Sequence, residues 1–315
     1  MAQAFAALVS ASSSARGALF AFFAFAGFAT VDAVVKQLSA TFSIYQVGFL
    51  VCAVSSVLVL GQAAWDGSLR HLMPRRPGLV VLRAALASAT GVCAWNAFSR
   101  LPLADAYGLI FTMPLLVTAL SVPLLGERVG WRRWTAVLVG FAGVLVMVGP
   151  GSATLQIGHL FALGAATLAA LALIVLRWIG PGERAGTQLM AVMIGSLAVT
   201  APGAISEWQP PDLHLWRSVA IAGVLVAAAQ LSMIHAMRNA PAVLVAPFQY
   251  TQLIWALLYG ALLFGDMPNA QTLLGAAIVA TSGLYVVRRE RVRKVGPIAV
   301  PARQDHGNIP RVAQR

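Results

Sequence analysis

Apolar runs recur along the whole 315-residue chain, and this repetition limits the possible fold more than any other feature. They fall at 17–39, 44–62, 79–98, 103–123, 133–149, 157–177, 187–206, 216–237, 241–264 and 270–287. Each is close to the roughly 20 residues that a helix needs to cross a bilayer core. In hydrocarbon, every backbone N–H and C=O must be bonded within its own segment or in a closed barrel. Uninterrupted runs of this length fit helices, not short alternating strands. The expected class is therefore an all-α polytopic membrane protein with ten transmembrane helices. Composition agrees: 10% of the residues are charged, against about 25% in a soluble domain.

The net charge of +12 would suit a nucleic-acid ligand if the basic residues were clustered on one domain. They are sorted by loop instead. With a cytoplasmic N-terminus, one face collects Arg16, Arg70, Arg75, Arg76, Arg83, Arg128, Arg132, Arg133, Arg177, Arg184, Arg238 and the tail from Arg288 to Arg315. That is nineteen of the twenty-two Lys and Arg. The other face keeps Arg100 and Arg217, and Lys36 lies within the first helix. The positive-inside rule then places both termini in the cytoplasm of a bacterial cell, on the inner membrane, and no nucleic acid is expected as a partner. Residues 1–16 lack a basic n-region and read as a tail, not a cleaved signal. Residues 288–315 read as a basic cytoplasmic tail. Cys52 and Cys93 fall inside apolar runs and suggest neither a disulfide framework nor a metal site.

A duplication underlies the pattern. Shifting residues 101–143 by 139 positions superposes Pro102 on Pro241, Thr112 on Thr251, Leu124 on Leu263, Gly126 on Gly265 and Glu127 on Asp266. The copies begin five spans apart, and an odd separation inverts the second. The loops agree: Arg128, Arg132 and Arg133 follow Gly126-Glu127, whereas Met267-Pro268-Asn269-Ala270 follows Gly265-Asp266 with no basic residue. The expected architecture is a 5+5 inverted repeat, residues 17–149 and 150–287, with a substrate site between halves near the midplane.

The carrying residues are Ala97-Phe98, Leu101-Pro102-Leu103-Ala104, Pro114, Gly126-Glu127-Arg128, Gly140 and Gly143. They return as Ala236-Met237, Ala240-Pro241-Ala242, Pro247, Gly265-Asp266, Gly275 and Gly283. This double pattern resembles the EamA-like group of the drug/metabolite transporter superfamily. The resemblance implies ten helices, cytoplasmic termini, a 5+5 inverted repeat and movement of small organic metabolites. Two departures from the family pattern, Asp266 for the usual Glu and an earlier Pro247, argue against functionally identical halves. The stretches LADAYGLIFTMPLL and VAPFQYTQLIWALL are similar to those of members that take up S-adenosylmethionine-like or riboflavin-like compounds. Export of amino acids or other metabolites is the alternative within the family.

Polar groups at membrane depth are costly and so mark candidate sites. Asp32 lies roughly 22 Å from the inner end of the first helix. Lys36, one turn further on, can pair with it at i, i+4. The pair is either an interfacial stabiliser, or a contact for a zwitterionic substrate with Asp32 as a proton-coupling carboxylate. The ninth run adds Gln249, Tyr250, Gln252 and Trp255, with Gln249, Gln252 and Tyr259 near one helical stripe. Trp95, Asn96, Tyr107, Thr112 and Gln230 complete the expected substrate-binding set. Asp105 is expected to cap its helix, and Glu127 to pair with Arg128 or Arg132 at the membrane surface.

No G-x-x-x-x-G-K-[ST] is present, so ATP hydrolysis is not expected. The expectation is a secondary transporter with a small-molecule substrate and the bilayer as partners, a homodimer being possible, and neither cofactor nor metal. An intramembrane enzyme would need a nucleophile and base or paired carboxylates at depth, and Asp32 stands alone there. A non-transporting membrane subunit is the third reading.

Overall fold

The computed structural model describes residues 2–65, 73–127, 129–148, 156–180, 182–240 and 242–292, and these form helices with no strand. The first copy of the repeat and the segments before it comprise α1 (Ala2–Leu38), α2 (Ile44–Trp65), α3 (Pro77–Phe98), α4 (Leu103–Ile110), α5 (Met113–Leu125) and α6 (Trp131–Val148). After them come α7 (Ile157–Ile179), α8 (Ala185–Ser206), α9 (Leu213–Asn239), α10 (Ala242–Val245), α11 (Thr251–Tyr259) and α12 (Ala270–Val292). A 3₁₀ turn, Ala246–Tyr250, precedes α11 and a π-helical turn, Gly260–Phe264, follows it. Among the described residues, seven segments are long and apolar enough to cross a membrane: Ala15–Leu38, Ile44–Gln62, Pro77–Phe98, Leu103–Leu125, Ile157–Ile179, Gly186–Ser206 and Leu213–Asn239. At the ends, α1 is already helical from Ala2, through residues read as a tail, and α12 continues past residue 287 to Val292. The remainder of the basic tail lies outside the described residues.

The duplication is visible in individual hydrogen bonds. Pro114 has no N–H to offer Ile110, so the helix breaks between α4 and α5. Thr112 turns its hydroxyl onto Leu109 O at 2.7 Å, and Thr251 does the same to Phe248 O at 2.6 Å. Donors and acceptors are both 139 positions apart. Gly126 and Gly265 each close their copy at φ +67° and +66°, a left-handed conformation that only glycine adopts without steric cost. The next amide reaches back in both: Glu127 N to Ser121 O at 3.3 Å and Asp266 N to Gly260 O at 2.9 Å. The second copy departs around Pro247. Gln249 lies in the 3₁₀ turn before α11, while Gln252 and Tyr259, seven residues apart on α11, reach Tyr107 and Thr30.

The main core joins both copies, with Phe98, Leu103, Tyr107, Leu109 and Phe111 packed against Ala33, Val144, Ala162, Ala256 and Val279. Helices pair as α1 with α9, α3 with α7 and α8, and α6 with α12. The last pair touches backbone to backbone: a Cβ added to Gly275 would lie 2.6 Å from Gly143 O, and one added to Gly143 would lie 3.0 Å from Gly275 O. Small residues permit that approach. Where the copies meet, they run in opposite directions. The first advances from Leu101 through Tyr107 to Phe111, while its neighbours in the second fall back from Asp266 through Gln252 to Tyr250.

Candidate functional site

Asp32, three-quarters of the way along α1, is half-buried. Its carboxylate accepts the Tyr107 hydroxyl at 2.5 Å and the Trp95 indole N–H at 3.3 Å, so donors from α3 and α4 converge on it. Tyr107 is 3% exposed and wedged between Phe98 and Phe111, at ring-centroid distances of 5.0 and 5.6 Å. Packing fixes its hydroxyl. Gln252 of α11 approaches that hydroxyl through its amide nitrogen at 3.5 Å, a long contact that brings the second copy to the same group. Two residues back along α1, Thr30 shares a 2.7 Å hydrogen bond with Tyr259, which stacks on Trp255 at 6.0 Å. Phe111 extends the aromatic wall to Tyr250 at 5.3 Å.

Chemically, two neutral donors leave acceptor capacity on a carboxylate, which offers about four lone-pair sites. Among the described residues no basic side chain reaches Asp32 within ion-pair distance. The spacing with Lys36 predicts an i, i+4 pair, and the structure does not make it. Lys36 donates instead to Asp266 Oδ2 at 2.8 Å and Leu101 O at 2.9 Å, and its ammonium lies 4.7 Å from the Phe264 ring centroid. Helical spacing describes only neighbours on one helix, and the better partner lies 230 positions away.

The other predicted residues divide. Trp95, Tyr107 and Gln252 gather around Asp32, and Tyr250 and Trp255 stand in the adjoining aromatic wall. Asn96 is buried but turned away: its amide donates to Val92 O at 2.9 Å and its carbonyl accepts from Arg100 at 2.6 Å. Thr112 is spent on the helix break. Gln230 is half-buried on α9, and Gln249 is half-buried in the 3₁₀ turn. Thr30 escaped the sequence reading because a Thr in an apolar helix normally bonds back to its own turn, as it does here to Ala26 O at 2.8 Å. Two surface expectations change as well. Pro102, not Asp105, occupies the N-cap of α4, with Asp105 in the first turn. Glu127 pairs with Arg177 at 3.2 Å, not with Arg132, because the end of α7 lies beside the Gly126 turn, and Arg128, the other expected partner, lies outside the described residues.

The profile of the EamA-like transporter family matches residues 15–149 and again 156–288. The chain belongs to this family. An EamA-like membership, with seven apolar membrane-length helices, makes it a multi-pass transmembrane transport protein of the drug/metabolite transporter superfamily. The chain is 28% identical to the riboflavin transporter of Vibrio cholerae serotype O1, covering 87% of this chain and 94% of that one. It is 26% identical to the S-adenosylmethionine uptake transporter of Rickettsia bellii, over 82% and 89% of the two chains. A solved crystal structure with 17% identity shares the fold at a TM-score of 0.59, covering 90% of this chain and 99% of the other.

Proposed function

We propose that this protein is a secondary transporter that moves a small organic metabolite across the bacterial inner membrane by alternating access. Ten spans form two inverted halves of five, with both termini cytoplasmic and the substrate held between the halves. This reading rests chiefly on Asp32. Its carboxylate is held by Trp95 and Tyr107, Gln252 from the other family match approaches the Tyr107 hydroxyl, and among the described residues the carboxylate has no cationic partner. A lone carboxylate at membrane depth takes either a proton or a cationic part of the substrate. The half-buried rings of Tyr250, Trp255 and Tyr259 supply faces on which a planar heterocycle stacks. Relatives named for riboflavin and S-adenosylmethionine transport make those two compounds the first substrates to test, in the uptake direction.

Purified protein in proteoliposomes, offered labelled riboflavin, S-adenosylmethionine and a panel of amino acids with and without a pH gradient, is expected to accumulate one of them. Absence of protein-dependent movement for every compound would overturn the reading.

A further inference from the structure

Two ion pairs connect the family matches, and they are built alike. At one end, Lys36 stands two residues before the end of α1 and meets Asp266, the acid after Gly265. At the other, Arg177 stands two residues before the end of α7 and meets Glu127, the acid after Gly126. Each acid therefore belongs to one match, residues 15–149 or 156–288, and its base to the other. Lys36 also bonds Leu101 O, just before α4, whereas Glu127 follows the end of α5. A helical pass of 23 residues, Leu103–Leu125, separates the two pairs, so they lie at opposite ends of the bundle.

The pairs are unequal. Lys36 and Asp266 are 2.8 Å apart with side chains 14% and 32% exposed, and Leu101 O and Phe264 complete the ammonium's surroundings. Glu127 and Arg177 are 3.2 Å apart and 34% and 40% exposed. Just beyond the tighter pair, a cavity of about 360 Å³ is lined by Lys36, Ser39, Ser99 and Phe264, one helical turn from Asp32. Asp266 is carried on the π-helical turn Gly260–Phe264, through the bond from its amide to Gly260 O. A π turn is an irregularity often retained where a helix must change shape.

We infer that Lys36–Asp266 and Glu127–Arg177 are the two gates of the transport cycle, related by the duplication, and that both are shut in this structure, the Lys36 end more tightly. Lys36 is thus a positioning residue that sets which way the site opens, not a substrate contact. Each gate joins the halves, so opening one requires the halves to part at that end. A partly buried pair biases the equilibrium between the two states because only one state forms it.

The inference rests on the alternating-access reading, and the test separates the two. In a Cys52→Ala/Cys93→Ala background, Thr30→Cys places a thiol beside the site. A membrane-impermeant maleimide then reports its accessibility from each face, in right-side-out and inverted vesicles. Lys36→Gln is expected to raise labelling from the Lys36 end by about fivefold or more. Glu127→Gln is expected to raise it from the opposite end, by less because that pair is more exposed. The exchange Lys36→Asp with Asp266→Lys is expected to restore the parent pattern, which a merely misfolded variant would not do. Disulfides formed from Lys36→Cys/Asp266→Cys and from Glu127→Cys/Arg177→Cys lock either end shut independently of charge. If these disulfides redirect labelling while Lys36→Gln and Glu127→Gln leave it unchanged, the gate role is overturned and alternating access stands. If labelling stays on one face in every variant and under both disulfides, both are overturned.

Discussion

Asp32 has acceptor capacity left over after Tyr107 and Trp95 have donated, and that residual capacity is what transport would use. The two donors differ in reach, 2.5 Å against 3.3 Å, and in burial, since Tyr107 lies inside the core while Trp95 is half-buried. A hydrogen bond to a charged group contributes about 1.5–3 kcal/mol, so removing the Tyr107 hydroxyl by Tyr107→Phe is expected to slow flux by roughly 10- to 100-fold. Trp95→Phe should cost less, and Asp32→Asn most. If Asp32 carries the coupling proton, Asp32→Asn also makes the remaining flux independent of the pH gradient. Initial rates in proteoliposomes across a pH series decide this, and an unchanged pH profile in Asp32→Asn would remove the carboxylate from coupling. Asp32 was legible in the sequence because a carboxylate in an apolar run is conspicuous. Tyr107 and Trp95 were legible as site candidates but their bonds to Asp32 were not, since they are 75 and 63 positions away. The same blindness assigned Lys36 to Asp32, when tertiary packing gives it to Asp266.

At the scale of the element, the duplication fixes two local devices. The first is the Thr hydroxyl that occupies a carbonyl at the helix break, and the second is the left-handed glycine that ends the copy. A Cβ on Gly126 or Gly265 would meet no atom within 4 Å, so the cost of Ala there comes from φ alone. That cost is about 1–2 kcal/mol. Gly126→Ala and Gly265→Ala are expected to lower the unfolding temperature in detergent by similar amounts, with Asn tolerated better at both. Unequal effects would show that the two turns do not carry the same strain. Gly275→Leu acts by another route: its side chain would be forced into the Gly143 backbone and the Met147 side chain. It is expected to separate α6 from α12 and to destabilise more than either turn substitution, by about 3 kcal/mol or more. The repeated Pro, Thr and Gly-acid pattern made these elements readable in advance. The irregular turns around α11 were not readable, because an uninterrupted apolar run looks the same whether its backbone is α, 3₁₀ or π.

For the whole molecule, the structure sorts the loops into two groups without reference to their charge. Gln46 and Gln209 exchange hydrogen bonds of 2.6 and 3.0 Å, and Ser43 bonds Glu207, so the α1–α2 turn and the α8–α9 loop share a face. Lys36 brings the segments before α4 and after Gly265 to the end of α1, and hence to that same face. On the other face, Arg76 donates to Trp178 O at 2.9 Å and its amide to Glu183 at 2.9 Å, which joins the segment before α3 to the end of α7. Arg177 joins the Gly126 turn to the same place. Of these two groups, the second carries Arg75, Arg76, Arg132, Arg133, Arg177 and Arg184, while the first carries Lys36, Arg100 and Arg217. Cytoplasmic loops retain an excess of Lys and Arg, so the second group is expected inside. Reporter fusions joined after Gln62 and after Arg315 are therefore expected to show cytoplasmic activity, and one joined after Trp208 periplasmic activity. A periplasmic signal from the fusion at Arg315 would make the number of spans odd. The inverted 5+5 arrangement would fall with it, and so would the two-gate scheme that depends on opposed halves.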